Sequence, residues 1–272
     1  MTQIIVLDDT RRNPELAERI DKILRTVAPL VAEKTMLSLP TVVRFRLVKP
    51  AAWRHETREM HRRTLARDVA ELDLPPAEVK AMRAGLKVMG VMPILVWPLV
   101  VGATQIAADG QSETICTPQT LRHAGLLAHE PYLTQMVSHE LTHQLQDAAT
   151  GGDGPWNTVF PNVRNIDPRG LSSVVEGHAS WTDREVTTRL YGEPVDQRQA
   201  SRSLRYRMHA RLPGIRHLGP SRTAYEQGSL MIGHAVSVGG VDLVNRVWKD
   251  YSLLPTQAEV GDPETWVHRI AV

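Results

Sequence analysis

Residues 137–144 read V-S-H-E-L-T-H-Q and contain the pattern H-E-x-x-H within an apolar segment. Residues four apart on a helix lie one turn above each other, so His139 and His143 can present two imidazoles to one metal ion. Glu140 lies beside such an ion, where its carboxylate can take a proton from a water that the metal activates. Zinc is the expected ion, because it favours nitrogen and oxygen ligands and keeps one position open for water in catalytic sites.

The sequence around this pattern predicts a buried helix. Apolar residues recur there at helical spacing, namely Leu133, Met136, Val137, Leu141 and Leu145. Pro131 suits the first turn of the helix, where its missing N–H costs nothing. The competing interpretation is a solvated helix with two incidental histidines, and the apolar stripe argues against it.

A third ligand is predicted further along the chain. Residues 174–181 read V-V-E-G-H-A-S-W and begin a second helix-like segment, with Glu176 lying 33 positions after His143. Two histidines and one carboxylate form the ligand set of a hydrolytic zinc site whose fourth position is free. We therefore expect His139, His143 and Glu176 to bind one ion.

Ligating imidazoles usually donate their second N–H to a carboxylate or a carbonyl group. Asp147 lies four residues after His143, on the same helix face, and Asp183 lies about two turns after Glu176. Both are candidates for this role, and each can equally be a surface aspartate.

Composition limits the class of protein. A chain of 272 residues suits one large domain or two small ones, and 42% hydrophobic residues can form a substantial core. The 32 basic and 30 acidic side chains give a net charge of +2, which does not favour nucleic acid as a partner. The single cysteine, Cys116, excludes an intrachain disulfide and a cysteine-rich zinc site. Because no basic region is followed by an apolar run near residue 1, we expect a cytoplasmic protein.

Two segments allow other interpretations. Residues 88–108 are uncharged, but Pro93 and Pro98 would break a spanning helix, so buried strands joined by turns are expected and stable membrane insertion is not. Residues 52–73 form a strongly basic helical segment. Its interspersed acidic residues favour a solvated helix face over a nucleic-acid site. Salt-dependent binding of DNA would instead indicate a nucleic-acid site.

Runs rich in β-branched residues predict a small sheet. They are residues 4–7, 41–48, 94–108 and 112–117, with a hairpin turn at Asp109-Gly110 between the last two. An edge strand beside the metal helix can pair with an extended substrate.

Most of the remaining chain has helical periodicity. The predicted helices cover residues 14–29, 52–73, 77–88, 131–145, 171–190, 201–211, 223–237, 240–250 and 263–270. Residues 150–170 are rich in Gly, Pro, Asn and Asp and predict a long loop. The fold class is therefore α+β, mostly helical with a small mixed sheet beside the HExxH helix. We expect an N-terminal subdomain, 1–150, with the sheet and that helix, and a helical C-terminal subdomain, 151–272, with the third ligand.

The two motifs together resemble the gluzincin class of zinc metallopeptidases. More narrowly, the chain resembles a zincin-like family that is common in actinobacteria and labelled as associated with deazaflavin coenzyme biosynthesis. The pieces that carry this resemblance are residues 173–179, 225–228, 244–248, 254–256 and 262–267. The resemblance covers roughly residues 130–270, and the first third of the chain matches only loosely.

The resemblance implies a zincin-like fold, Zn²⁺ on the three residues named above, and Glu140 as general base. It also implies that Tyr225 stabilises the oxyanion, although His234 is an alternative donor and Tyr225 can equally be a core residue with a satisfied hydroxyl. His178, two positions after Glu176, should face away from the metal and serve in packing or in support of the ligands.

These features predict a zinc-dependent hydrolase of peptide or amide bonds. The first alternative is a zincin-fold protein that keeps its metal for structure or binding, without hydrolysis. The second is a small-molecule amide hydrolase in a biosynthetic pathway. An intact Glu140 favours hydrolysis, because a structural site needs no carboxylate there and is usually closed by four protein ligands.

Overall fold

The computed structural model describes residues 2–152, 156–211 and 222–271. Its strands are β1 Gln3–Asp8, β2 Val42–Leu47, β3 Ala103–Ile106 and β4 Ser112–Cys116. Its α-helices are α1 Pro14–Thr35, α2 Pro50–Glu71, α3 Pro76–Met89, α4 Met92–Val96, α5 Pro118–Ala124, α6 Glu130–Ala149, α7 Pro168–Tyr191, α8 Leu204–Arg211, α9 Arg222–Asn245, α10 Gln257–Val260 and α11 Pro263–Ala271. The predicted α+β class, mostly helical with a small mixed sheet, is confirmed.

The sheet has the strand order β1-β2-β4-β3. β2 pairs in parallel with both β1 and β4, whereas β3 pairs with β4 in antiparallel fashion. The predicted turn between β3 and β4 is present, and Gly110 takes the positive φ of 80° that it requires. β3 is therefore an edge strand of the described sheet, and it lies against α6.

Helix α6 is buried along most of its length. Leu133, Val137, Leu141 and Leu145 are completely inaccessible and join a core with α1 and β2. The same helix also buries polar side chains, which must find hydrogen-bond partners within the protein. This requirement governs the arrangement of the site.

Helices α7 and α9 approach each other closely at two glycines. A Cβ atom on Gly177 would lie 2.4 Å from the carbonyl carbon of Gly228. A second core, formed mainly by α7, α9 and α11, surrounds this crossing. Because Glu176 precedes Gly177 and Tyr225 lies one turn before Gly228, the crossing brings these two side chains together.

Two predicted elements were wrong. Helix α1 does not end near Pro29 but continues to Thr35, because its apolar face continues through the buried Val31 and this burial offsets the hydrogen bond that proline cannot donate. Residues 92–96 form the short helix α4 instead of a strand, with Pro93 in its first turn.

Other predicted boundaries agree with the structure or shift slightly. The break at Gly239-Gly240 is present, since Gly240 has a φ of 73° inside α9. The loop 150–170 contains a 3₁₀ turn, Pro161–Arg164, and α7 already begins at Pro168; residues 153–155 of the loop lie outside the described residues. The subdomain boundary at residue 150 stays a prediction.

Several arginines of the basic segment 52–73 make hydrogen bonds within the protein. Arg58 donates to the carbonyl oxygen of Gly90, and Arg63 donates to that of Ile106. Asp68 on the same helix accepts hydrogen bonds from Arg164 and Thr158, which lie in the loop before α7. Helix α2 thereby anchors this loop. None of the described helices has the length and apolar content needed to cross a bilayer.

We expect Gly177→Ala to lower the stability of the protein. The added methyl group must push α9 away, and overpacking of this kind costs about 1–3 kcal/mol, so the Tm in a thermal melt should fall by several degrees. Gly233→Ala, on the facing helix α9, is the matched control, because its Cβ would lie 3.5 Å from Trp181 on α7, an ordinary contact. Equal Tm values for the two variants would contradict the close crossing.

Candidate metal centre

The structure brings the three predicted ligands together. Nε2 of His139 lies 3.3 Å from Oε2 of Glu176, and Nε2 of His143 lies 3.6 Å from the same oxygen. All three ligand atoms are within 4.8 Å of one another. Within the described ranges, this is the one group of three His, Cys, Asp or Glu side chains with such a spacing. His139 and His143 lie on α6 and Glu176 lies on α7. The packing of these two helices against each other brings the three side chains together.

Asp183 determines the tautomer of His139. Its Oδ2 lies 2.9 Å from Nδ1 of His139, and its Oδ1 accepts a hydrogen bond from the side-chain amide of Gln135. A carboxylate can only accept, so Nδ1 carries a proton, and Nε2 is left as the nitrogen that faces Glu176 and can bind a metal. Asp183 was one of the two partners indicated by the sequence.

Gln146, rather than Asp147, determines the tautomer of His143. The amide nitrogen of Gln146 donates to the carbonyl oxygen of Val175 at 3.0 Å, so its Oε1 must face Nδ1 of His143, at 2.8 Å. That Nδ1 is therefore protonated, and Nε2 is free to bind a metal. Asp147 instead accepts hydrogen bonds from Ser112 and Asn157.

These residues fit a zinc ion. Two ligand atoms at zinc-bond distances of 2.0–2.2 Å and a tetrahedral angle lie about 3.3–3.6 Å apart, which matches both distances to Oε2 of Glu176. A direct hydrogen bond between a protonated imidazole and a carboxylate would be shorter, at about 2.7–2.9 Å. With both Nδ1 atoms engaged elsewhere, the donor set consists of two imidazole nitrogens and one carboxylate oxygen.

The cluster perturbs the pKa values of its members when no metal is bound. Burial alone would raise the pKa of Glu176, but its contacts with His139 and His143 outweigh burial and hold the pKa far below its ordinary value. Burial lowers the pKa of His139, but the negative charges of Asp183 and Glu176 beside it outweigh this and raise the pKa well above 6.5. Glu176 is thus ionised, as a metal ligand must be.

Glu140 lies beside the cluster and is held by the edge strand. Its Oε2 accepts a hydrogen bond of 2.8 Å from the hydroxyl of Thr104 on β3. Its Oε1 lies so close to Gly102 that a Cβ atom there would be 2.7 Å away. The carboxylate is buried, with 6% of the residue exposed, yet it lines a cavity of about 320 Å³ together with His139, His143 and Glu176.

Tyr225 lines the same cavity, with its ring centroid 6.1 Å from that of His139. Burial, the negative charges of Glu176 and Glu140, and a hydrogen bond to Glu176 raise the pKa of Tyr225 well above its ordinary value. Its hydroxyl is therefore a proton-bearing donor across the neutral pH range. His234, the alternative donor, has an exposed side chain on α9.

His178 is a packing residue, as expected. It is completely inaccessible, stacks on Trp181, and accepts a hydrogen bond at Nδ1 from the amide nitrogen of Gln146. Burial, and then the charge of His143, lower its pKa to about 3, so the ring is neutral. It supports the orientation of Gln146 and, through it, that of His143.

Three residues of the site were missed in the sequence. Gln146 is absent from the prediction because both predicted partners of the imidazoles, Asp147 and Asp183, are carboxylates. A side-chain amide oxygen accepts such a hydrogen bond equally well. Gly102 and Thr104 lie in the uncharged run, and their contact with Glu140 depends on the tertiary packing of β3 on α6. A glycine next to a predicted edge strand was the one signal available for them.

Part of the chain is similar to a known protein family. A family model described as zincin-like metallopeptidase matches residues 169–267, about a third of the chain, which include Glu176 and Tyr225. The HExxH segment lies outside this region.

One solved structure, from Chloroflexus aurantiacus, is similar over 97% of this chain and 91% of that chain, with 20% identity and a TM-score of 0.55. It was described as a candidate hydrolase with a novel fold. This likeness shows a shared fold. The search of curated proteins gave no match.

We expect the stability of the metal-free protein to fall as the pH rises above 6.5. A histidine whose pKa is raised by folding contributes stability that is complete below its unfolded value, 6.5, and is lost as the pH rises through the folded value. Thermal melts with a chelator should show this slope for the wild-type protein and a flatter one for His139→Gln. The exposed His268→Gln should keep the wild-type slope; equal slopes in all three would contradict the account.

Proposed function

We propose that this protein is a zinc-dependent hydrolase that cleaves peptide or amide bonds. The observation that carries the proposal is the convergence of His139, His143 and Glu176 from two helices, with Glu140 beside them in one cavity. The similarity of residues 169–267 to zincin-like metallopeptidases supports it. The narrower assignments, to the gluzincin class and to the actinobacterial family, stay predictions from the sequence, as does a cytoplasmic location.

His139, His143 and Glu176 would hold the ion through Nε2, Nε2 and Oε2. When bound, Zn²⁺ acts as a Lewis acid that polarises a carbonyl group and lowers the pKa of a water from 15.7 toward about 7. Asp183 and Gln146 keep both imidazoles in the tautomer that binds metal. Three protein ligands leave a fourth position for water or substrate.

Glu140 serves as general base and then as general acid. Its carboxylate takes a proton from the attacking water and delivers it to the leaving amine. The hydrogen bond from Thr104 occupies Oε2 and leaves Oε1 as the acceptor. The protonated hydroxyl of Tyr225 can donate to the oxyanion that develops on the carbonyl oxygen.

The edge strand β3 supplies a surface for an extended substrate. Gly102, Ala103 and Thr104 line the cavity beside Glu140, and β3 has a partner on only one side in the described sheet. Pairing of a peptide with such an edge is a known recognition mode. A peptide bound there would pass directly over the general base.

A small-molecule amide hydrolase is the second candidate. A cavity of about 320 Å³ lies at the lower end of the range for small-molecule sites, about 300–1,000 Å³. The two candidates are separated by offering the zinc-loaded protein a quenched fluorescent peptide library and a set of small N-acyl amides, each with and without a chelator. Cleavage that survives complete removal of the metal would contradict both, and zinc binding without any cleavage would favour a non-hydrolytic zincin-fold protein.

We expect Glu140→Gln to keep zinc and lose hydrolysis. Glutamine has nearly the same shape but cannot accept the proton of the water, so turnover of the best library substrate should fall by at least about 10²-fold, within the range for general bases. Metal analysis should give the wild-type zinc content, because Glu140 is not among the three converging ligand atoms. Turnover near the wild-type rate would remove Glu140 from the mechanism.

We expect Asp183→Ala to weaken zinc binding by about 10–100-fold, the usual effect of removing the partner of a ligating histidine. Competition with a chromogenic chelator would measure it. Glu185→Gln is the matched control on the same helix, because Glu185 pairs with Lys34 instead of the site. An unchanged zinc affinity in Asp183→Ala would show that Asp183 does not orient His139.

A further inference from the structure

A chain of hydrogen bonds runs from the interior of the sheet to the carboxylate of Glu140. The side-chain amide nitrogen of Gln144 lies 2.8 Å from the hydroxyl oxygen of Thr114, which lies 2.8 Å from that of Thr104. The Thr104 hydroxyl in turn lies 2.8 Å from Oε2 of Glu140. Gln144 and Thr114 are completely inaccessible, so these contacts are shielded from water.

The backbone of Arg44 on β2 fixes the direction of the first bond in this chain. The N–H of Arg44 can only donate, and it donates to Oε1 of Gln144 at 3.2 Å. The carbonyl oxygen of Arg44 can only accept, and it accepts from Nε2 of Gln144 at 2.9 Å. The amide of Gln144 therefore has one orientation, with its second N–H directed at Thr114.

The carboxylate of Glu140 fixes the other two bonds, because it can only accept. Thr104 directs its one proton to Glu140, whose Oε2 at 2.8 Å is closer than the backbone carbonyl oxygen at 3.1 Å. The Thr104 oxygen can then only accept from Thr114, so the Thr114 hydroxyl is the donor in the contact between them. A chain of donors that all point the same way polarises each successive bond and strengthens the last one.

Gly102 confines the same carboxylate from the other side. A Cβ atom at this position would lie 2.7 Å from Oε1 and 2.8 Å from Cγ of Glu140. Only glycine leaves room for the carboxylate where Thr104 holds it. Glu140 thus has one donor on β3 and one close backbone neighbour, Gly102, just before β3.

We propose that Gln144, Thr114 and Thr104 are positioning residues that hold the carboxylate of Glu140 in one orientation toward the cavity. The expected effect on turnover rests on the proposed function. The expected effect on the position of the Glu140 carboxylate rests on the hydrogen-bond chain alone. Gln144 and Thr114 do not line the cavity, and the hydroxyl of Thr104 is directed at Glu140. All three therefore act on the reaction through Glu140.

Crystal structures of the zinc-loaded wild-type, Thr104→Val and Thr104→Ser proteins test the structural part. Valine has nearly the same shape but donates no proton, so we expect the Glu140 carboxylate to move away or to split between rotamers. Serine keeps the hydroxyl and should restore the wild-type position. A carboxylate that stays in place in Thr104→Val would overturn the proposal, whether or not any substrate has been found.

Kinetics on the best substrate of the library test the catalytic part. We expect Thr104→Val to lower kcat by about 10-fold with KM and zinc content unchanged, and Thr104→Ser to restore kcat, because removing one orienting contact lowers the efficiency of the general base. Thr35→Val is the matched control: this buried hydroxyl donates to the carbonyl oxygen of Val31 on α1. It should change Tm but leave kcat unchanged.

A double-mutant cycle separates a connected chain from independent packing. If Thr114 acts through Thr104, Thr114→Val should lower kcat in the wild-type protein and have little further effect in the Thr104→Val background. Independent, multiplying effects would overturn the chain. Failure of the proposed function gives a different result: no wild-type turnover on any library member, while the carboxylate of Glu140 still moves in Thr104→Val.

Discussion

A buried helix cannot leave its polar side chains without partners, and this constraint on α6 organises the whole site. The helix carries a carboxylate and three amides into the interior, next to two partly buried imidazoles. An unsatisfied buried group would cost about 1–3 kcal/mol, so each one meets a partner on a neighbouring element. Gln144 pairs with the sheet, Glu140 with its edge strand, and His139 with α7. The face of α6 that points to the cavity is thereby held on both sides.

The second constraint is the close contact between α7 and α9. Each glycine at the crossing lies near a residue of the site in sequence. Gly177 directly follows Glu176, and Gly228 lies one turn after Tyr225. The contact therefore serves two purposes: it closes the C-terminal core, and it sets how far the third ligand and the phenol reach toward α6. The family model covers this crossing and not α6, which is consistent with a unit that α7 and α9 build together.

Much of this architecture follows from local sequence. The spacing in H-E-x-x-H is enough to place His139 and His143 on one helix face, and helical periodicity finds α6, α7 and the break at Gly240. Glu176 was found because few residue sets complete a hydrolytic zinc site. These features depend on contacts within a turn or two, or on the chemistry of a metal.

What could not be predicted depends on contacts between elements far apart in sequence. Gln146 satisfies three groups at once, and Thr104 meets Glu140 only because β3 packs on α6. The continuation of α1 past Pro29 has the same cause, because the core that stabilises its last turns is formed with other elements. Sequence patterns indicate the secondary-structure propensity of a segment, whereas tertiary contacts determine the conformation and the partners of these residues.

The most direct test of the account is anomalous diffraction at the zinc edge from crystals of the zinc-loaded protein. The account predicts one strong peak within about 2.0–2.2 Å of Nε2 of His139, Nε2 of His143 and Oε2 of Glu176, with Nδ1 of each histidine still bound to Asp183 or Gln146. Zinc bound at another place, or a carboxylate of Glu176 turned away from the ion with no other ligand in its position, would contradict it.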